Sequence, residues 1–243
     1  MLRTAWAWTI GVSLTLFWST LGMLTWPLSP DGGLYLRYAR IWSRWILAGL
    51  AIPVDVRGRE RLDPAATYIF MSNHESTAFD IFALFVATEH PLRMVAKRVL
   101  FFIPIFGWSL WMCGFIPINR RDREQAIRSL EKAADRIRSG TSVLVFPEGT
   151  RSRTGQLLPF KKGGFVMAIE AGAPIVPIVV KGTRQIMPPG SLGVGKGRIA
   201  VRFGEPVETA GLRPEDRESL IARVRAEMER IHGESLAAAD TAA

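Results

Sequence analysis

Cysteine and histidine are scarce in this sequence, which limits the chemistry that the chain can carry. Its 243 residues include one cysteine, Cys113, and three histidines. A single cysteine excludes an internal disulfide and a cysteine-rich zinc site. Cys113 lies in an apolar run, which predicts a buried small side chain rather than a reactive thiol. The Gly-x-Ser-x-Gly turn of serine hydrolases is also absent.

Acidic residues are fewer than basic ones, and one long stretch has no charge at all. Asp and Glu number 22 against 31 Lys and Arg, for a net charge of +9, which favours anionic partners. Residues 4–30 carry no charge. As a helix, Ala5 to Trp26 would extend about 33 Å, enough to cross a bilayer. The run is too long for a cleaved signal peptide, so we expect an uncleaved anchor.

A second amphipathic helix is predicted over residues 34–51. Arg37, Arg40 and Arg44 fall on one face of it and apolar residues on another, a pattern typical of a helix in the headgroup layer. The basic flank follows the anchor, which predicts that the rest of the chain lies in the cytoplasm, at the inner membrane. Residues 1–53 are thus a predicted membrane segment, either a helical hairpin in one leaflet or a full span. A buried core helix is the alternative.

From Val54 the pattern predicts an α/β domain over residues 54–233, followed by a disordered tail at 234–243. The predicted fold is a mixed, mostly parallel sheet flanked by helices, because strands alternate with helices. The predicted strands are 67–72, 93–97, 115–118, 142–147, 175–180 and 198–203. The predicted helices are 78–88, 122–139 and 215–232.

Residues 99–113, VLFFIPIFGWSLWMC, are very apolar but too short to cross a bilayer. They are either a core segment or a surface that touches lipid or lines an acyl-chain groove. Lys97 and Arg98 directly precede them and could bind headgroups.

Residues 67–80, TYIFMSNHESTAFD, combine a strand pattern, a polar turn and the start of a helix. Polar groups at such a strand end are commonly reactive in α/β proteins. A neutral imidazole such as that of His74 can take a proton from a hydroxyl near pH 7. A carboxylate such as Asp80 on the other ring nitrogen would fix the tautomer. Taken alone, such a pair more commonly forms only a turn hydrogen bond.

Three further stretches carry polar groups at the ends of predicted strands: GFIPINR (114–120), VLVFPEGTRSR (143–153) and APIVPIVVKGT (173–183). Arg120 and Arg151 each offer a planar fork that can pair two oxygens of a phosphate. Singly, both would be interpreted as solvated surface charges.

Together, NHESTAFD, GFIPINR, FPEGTRS and VPIVV resemble, in order, the four sequence blocks of the glycerolipid acyltransferase family, and within it the 1-acyl-sn-glycerol-3-phosphate acyltransferases. The resemblance covers residues 65–205. It implies that His74 is the general base and Asp80 its orienting carboxylate. It implies substrate-binding roles for the other block residues: Arg120, Glu148, Gly149, Thr150 and Arg151.

One feature departs from the family pattern. The family has four residues between the histidine and the aspartate, whereas five separate His74 from Asp80 here. On a continuous helix the extra residue would rotate Asp80 by about 100°. A loop before the helix could absorb it. Glu75 is the nearby rival, although an adjacent residue does not easily direct its carboxylate onto its neighbour's ring.

The resemblance implies transfer of an acyl group from a thioester, acyl-CoA or acyl-carrier protein, to the free hydroxyl of lysophosphatidic acid, giving phosphatidic acid. It implies no metal or other cofactor, and membrane lipid rather than nucleic acid as a partner. Other acceptors would use similar blocks: glycerol 3-phosphate, another lysophospholipid or a lyso-aminolipid. The alternative class is a non-enzymatic basic module that binds membranes or nucleic acid.

Overall fold

A computed structural model describes residues 1–76, 78–119 and 122–240. Its strands are β1 (Val54–Arg57), β2 (Ile69–Ser72), β3 (Leu92–Lys97), β4 (Ile116–Ile118), β5 (Ser142–Val145), β6 (Ile175–Lys181) and β7 (Ile199–Phe203). Its helices are α1 (Leu2–Leu24), α2 (Gly33–Gly49), α3 (Phe79–Ala87), α4 (Phe106–Met112), α5 (Arg123–Arg138), α6 (Gly163–Ala171), α7 (Thr183–Ile186) and α8 (Arg217–Asp240).

The strands form one sheet in the order β1-β7-β6-β2-β5-β3-β4. All neighbouring pairs are parallel except β6 and β7, which are antiparallel. The central strands β2 and β5 are buried at every residue, as expected for a parallel sheet covered on both faces. The predicted mixed, mostly parallel α/β sheet is confirmed.

Two apolar cores lie on opposite faces of the sheet. One core contains side chains of α1 to α4 and α7, including Leu36, Phe82 and Leu110. The other contains side chains of α5, α6 and α8, including Ala133 and Phe165. The sheet is therefore the middle layer of three, and its strand ends remain free to carry functional groups.

Helix α1 lies along the domain instead of extending away from it. It packs on α2 and on α4. Its N-terminal turns are tied to the loop before β7: Arg3 donates to the carbonyl oxygens of Leu50 (2.7 Å) and Gly195 (3.0 Å), and the Trp8 indole donates to Leu192 O (2.9 Å). By length and composition α1 is long and apolar enough to cross a bilayer, and most of its most apolar stretch is not buried by the protein.

Several element boundaries differ from those predicted. Strand β1 and helices α4, α6 and α7 were not among the predicted elements. Helix α6 is apolar except for Glu170 near its end and begins with Gly163 and Gly164, so it has no clear amphipathic period and starts with poor helix formers. Its glycines allow close packing, because a Cβ on Gly163 would lie 2.7 Å from Leu130 Cδ1.

At the C-terminus, α8 begins at Arg217, near the predicted start at residue 215, and continues to Asp240, past the predicted helix end at residue 232. The predicted tail at 234–243 therefore overlaps the last turns of this helix, and its disorder stays a prediction. The predicted division at residue 53 coincides with the start of β1 at Val54.

Candidate active site

The candidate site lies at the carboxyl end of β2, in the middle of the sheet. β2 ends at Ser72 between β5 and β6, and Asn73 and His74 follow directly. Helix α3 begins at Phe79. The strand, polar turn and helix predicted for residues 67–88 are present in that order. His74 therefore stands where the ends of three parallel strands converge.

His74 and Asp80 are in direct contact despite the extra residue between them. The distance from His74 Nδ1 to Asp80 Oδ2 is 2.7 Å. Helix α3 starts after the turn, so Asp80 lies in its first turn and its side chain reaches back to the histidine. The same Oδ2 accepts the backbone N–H groups of Glu75 and Ser76, both at 2.8 Å. The loop absorbs the inserted residue because the bent turn, not helical spacing, determines this contact.

Hydrogen-bond donors surround one oxygen of the Asp80 carboxyl group. Its side chain is fully buried, three donors converge on Oδ2, and the positive end of α3 lies beside it. Oδ1 is buried and has no hydrogen-bond partner among the described residues. The carboxylate is thus held in one orientation by Oδ2 alone.

The His74 ring is fixed in place on two sides. It stacks on Phe146, with ring centroids 4.2 Å apart and planes 20° from parallel. Because Nδ1 faces a carboxylate, it carries the ring proton in the neutral form, and Nε2 is left as the acceptor. The side chain is 17% exposed, so the ring is partly accessible from solvent.

Glu148 supports His74 from the neighbouring strand end. Its Oε1 accepts the His74 N–H (3.1 Å) and its Oε2 accepts the Leu158 N–H (3.2 Å). The side chain is almost fully buried, and burial raises the pKa of this carboxyl to about 7. Glu148 therefore shapes the site by joining two backbone segments.

The polar turn after β5 lies against the same histidine. The backbone N–H of Ser152, a residue that the sequence reasoning did not select, donates to His74 O (2.7 Å). Gly149 has φ +69°, a left-handed conformation that favours glycine. Thr150 is exposed and Arg151 partly exposed on this turn. His74 is thus held by Glu148 at its amide and by this turn at its carbonyl.

Asn73 is a second residue that the sequence reasoning passed over. Its side-chain amide pairs with the backbone of Val180 on β6, accepting from the N–H (2.7 Å) and donating to the carbonyl (2.9 Å). It continues the β2–β6 ladder one residue past the strand end. The signal in the sequence was its position directly before His74.

Glu75 is not a rival partner for the histidine. Its carboxylate is buried and accepts from the Asn73 side chain (3.2 Å). Burial raises the pKa of Glu75 to about 7, and Asp80 adds to the rise, while Arg184 and Lys181 oppose it. Among the described contacts of His74, the ring is paired with Asp80.

Arg120 lies outside the described residues. β4, which precedes it, ends at Ile118 beside the end of β3 at Lys97, and both strands run parallel to β5 and β2. Within the described ranges, no group of three His, Cys, Asp or Glu side chains is placed to hold a metal ion. The absence of a cofactor stays a prediction.

These features define a class: α/β proteins with a buried His–Asp pair at the carboxyl edge of a largely parallel sheet and an apolar N-terminal helix. Residues 53–181 match the protein family described as Acyltransferase, and the chain belongs to that family.

Named relatives agree with this assignment. The chain is 36% identical over 183 residues to a chloroplastic 1-acyl-sn-glycerol-3-phosphate acyltransferase of Brassica napus, a match covering 72% of this chain and 53% of the relative. It is 34% identical over 202 residues to a 1-acyl-sn-glycerol-3-phosphate acyltransferase of Pseudomonas aeruginosa, covering 81% and 77%. The match spans about half the length of the plant and algal relatives.

The fold is also similar to a solved structure. The crystal structure of the 1-acyl-sn-glycerophosphate (LPA) acyltransferase PlsC from Thermotoga maritima matches with a TM-score of 0.79 at 25% identity, over 95% of each chain. The similarity therefore includes the N-terminal helices as well as the sheet.

Proposed function

We propose that this protein transfers an acyl group from a thioester, acyl-CoA or acyl-carrier protein, to the free hydroxyl of lysophosphatidic acid, forming phosphatidic acid. The contact between His74 Nδ1 and Asp80 Oδ2 carries the proposal, because it leaves Nε2 of a partly exposed imidazole as a base. The relatives of this chain named for lysophosphatidic acid or 1-acyl-sn-glycerol-3-phosphate support the choice of acceptor.

The reaction needs a base because a glycerol hydroxyl is a weak nucleophile at neutral pH. His74 Nε2 takes the hydroxyl proton while the hydroxyl oxygen bonds to the thioester carbonyl carbon, and the carbonyl oxygen receives the displaced electron pair. Asp80 stabilises the imidazolium that forms. The intermediate then collapses, the carbon–sulfur bond breaks, and the imidazolium returns the proton to the departing sulfur. No covalent acyl-enzyme is required.

The acceptor phosphate is assigned in this proposal to two arginines that follow strands of the sheet in the sequence. Arg151 follows β5 on the turn that binds His74 O, and Arg120 follows β4 in the chain. An arginine fork matches two phosphate oxygens. In this proposal Glu148 and Gly149 hold the shape of the turn, and Thr150 lies at its exposed tip.

We propose further that the protein works on one leaflet of the cytoplasmic membrane, with residues 54–233 in the cytoplasm. The tie of the α1 N-terminus to Leu50, Leu192 and Gly195 supports a hairpin in one leaflet rather than a full span. A helix crossing the bilayer would have to carry one end away from the domain by the full hydrocarbon thickness, about 30 Å.

A substrate matrix with site variants tests the proposal. Purified full-length protein is incubated with acyl-CoA or acyl-carrier protein and with each acceptor: lysophosphatidic acid, glycerol 3-phosphate, another lysophospholipid or a lyso-aminolipid. We expect turnover with lysophosphatidic acid, and a loss of about 10²–10⁴-fold in kcat for His74→Ala and for Asp80→Asn. The matched control is His232→Asn on α8, which should keep its activity.

Turnover of another acceptor in preference to lysophosphatidic acid would correct the substrate. Near-normal activity of a folded His74→Ala protein would refute the base. Absence of any transfer, combined with vesicle binding that is reversed by high salt, would instead favour the non-enzymatic basic module, because salt screens electrostatic binding.

A further inference from the structure

Five large apolar side chains of the segment after β3 point away from the protein. Their exposed fractions lie between 44% and 69%. We call them the 99–111 surface: Val99 (65%), Phe102 (69%), Ile103 (44%), Trp108 (51%) and Trp111 (57%). So many exposed aromatic and aliphatic side chains within one short segment mark an interaction site rather than ordinary surface.

The exposure is a consequence of the fold, since the same segment is firmly anchored in the core. Phe101, Ser109 and Leu110 are buried between the exposed residues. The turn into α4 is tight: a Cβ on Gly107 would lie 2.5 Å from the Phe101 backbone. Ile105 has φ +64°, a conformation that a β-branched residue rarely adopts. The backbone of this segment is thus fixed so that Phe101 and Leu110 face the core while the five apolar side chains of the 99–111 surface face outward.

The 99–111 surface adjoins two features that relate it to a bilayer. Helix α4 packs against α1, so the surface is continuous with the apolar N-terminal helix. The segment also starts where β3 ends at Lys97, on the edge of the sheet that carries His74. A partner that covered this surface would therefore lie beside the candidate active site.

Within the stretch of sequence from residue 90 to residue 121, the charged side chains have one sign. No Asp or Glu occurs between residues 90 and 121, whereas Lys97 and Arg98 are exposed directly before Val99. Arg98 lies over the Phe102 ring, with its guanidinium carbon 5.8 Å from the centroid, and donates to Gln125 Oε1 (2.9 Å). Apolar side chains with a basic rim match the acyl and headgroup layers of an anionic membrane.

We propose that the 99–111 surface inserts into the interface of a membrane containing anionic lipid, as a contact made by the α/β domain in addition to α1 and α2. Lys97 and Arg98 bind lipid phosphates while Phe102, Trp108 and Trp111 enter the acyl boundary. This contact holds the His74 edge of the sheet at the membrane surface. It extends the membrane location proposed above, and its test uses no activity measurement.

The test places an environment-sensitive fluorophore on the full-length protein. Cys113 is buried, so the unsubstituted chain serves as the labelling control. Labels are attached to Phe102→Cys and to Trp108→Cys. The matched control is Ile127→Cys, an exposed apolar position on α5, across the sheet. Each protein is reconstituted into vesicles of phosphatidylcholine with or without phosphatidylglycerol, then exposed to aqueous iodide and to lipids carrying a spin label.

We expect the labels at positions 102 and 108 to lose iodide quenching and to be quenched by the spin-labelled lipid, more strongly with phosphatidylglycerol. The label at position 127 should remain accessible to iodide, which also reports the orientation of the protein. Iodide quenching at positions 102 and 108 equal to that at position 127 would overturn the proposal.

A second copy of the chain could cover the same surface instead of lipid. Repeating the quenching experiment after dilution of the protein into excess lipid distinguishes the two. If a second copy covers the surface, the protection from iodide should disappear when the protein is diluted into excess lipid. Disulfide crosslinks should also form between two chains of the Phe102→Cys variant. These two results together would overturn the proposal in favour of the second copy. The crosslinking uses this variant without fluorophore.

The basic rim has its own test. Replacing both Lys97 and Arg98 by Gln should remove the dependence on phosphatidylglycerol while leaving the protection in place. If the double variant retained the full dependence on anionic lipid, the basic rim would have no part in the contact, and the commitment to anionic headgroups would be wrong.

Discussion

At the residue scale, the geometry of the His–Asp pair depends on a turn and not on helical spacing. Asp80 satisfies His74 and two backbone amides through one oxygen, so an inserted residue changes the path of the loop without moving the carboxylate away from the ring. Glu148 and Ser152 bind the backbone of His74 from the other side. His74 is therefore positioned by its neighbours in three dimensions, which is how precise site geometry is usually maintained.

The first prediction at this scale concerns Arg120, whose substitution distinguishes an effect on phosphate binding from an effect on the chemical step. A charge-assisted hydrogen bond contributes about 1.5–3 kcal/mol, roughly 10- to 150-fold in affinity. Arg120→Lys keeps the charge but loses the fork, so we expect a higher KM for lysophosphatidic acid with little change in kcat, and a larger effect for Arg120→Ala.

The control for Arg120 is an acceptor without the phosphate, such as a monoacylglycerol. Native protein should use it poorly, and Arg120→Ala should reduce that residual rate little further. If both acceptors slowed by the same factor, Arg120 would have a structural role, and the phosphate site would have to be sought first at Lys97 and Arg98.

At the scale of elements, α8 supports the loop that completes the site. Arg225 donates to the carbonyl oxygens of Leu158 (3.1 Å) and Leu157 (3.4 Å), and its guanidinium lies over the Phe160 ring. Leu158 in turn donates its N–H to Glu148, which holds His74. A helix distant in sequence is thus linked to His74 through one loop and one buried carboxyl group.

The second prediction is that Arg225→Ala weakens this support. We expect the free energy of unfolding to fall by about 1–2 kcal/mol, because hydrogen bonds from a charged group are lost. kcat should fall, because the loop no longer holds Glu148 and His74 in their native positions. Steady-state kinetics measures the change in kcat, and denaturant unfolding measures the change in the free energy of unfolding.

The matched control is Arg223→Ala, which removes an exposed arginine from the same helix. It should leave kcat and stability unchanged. Equal effects of the two substitutions would indicate a general effect of charge on α8 and would exclude a specific role for Arg225.

At the scale of the whole molecule, burial of two carboxyls at the sheet edge makes stability depend on pH. Burial raises the pKa of Glu75 and of Glu148 to about 7, from an ordinary value of 4.5. Between those two values the folded chain keeps protons that the unfolded chain has released. Folding therefore binds protons in this range, and stability decreases as pH rises.

The third prediction follows from that sign. The free energy of unfolding should decrease between about pH 4.5 and pH 7, by up to roughly 1.4 kcal/mol per pH unit for each group. Glu75→Gln and Glu148→Gln should each flatten the slope. Denaturant unfolding at a series of pH values measures it, and identical slopes in native and variant proteins would contradict the assignment.

The local features of this protein follow from the sequence by itself. The strand–turn–helix around His74 and the apolar N-terminal helix are patterns of neighbouring residues. The four motif blocks likewise predicted the family, because each block is contiguous. Such features depend on interactions that are short in sequence.

The tertiary structure alone decided the rest. The approach of Glu148 to His74, the antiparallel placement of β7 and the contact of Arg225 with the Glu148 loop join residues that are far apart along the chain. The sequence of 99–113 was compatible with either a core or a surface, and only packing determined that Phe101 and Leu110 face inward while Phe102 and Trp108 face outward. A segment that is apolar on all sides has no hydrophobic period, so its sequence does not indicate which side chains are buried. The elements that pack against it in the folded chain determine its orientation.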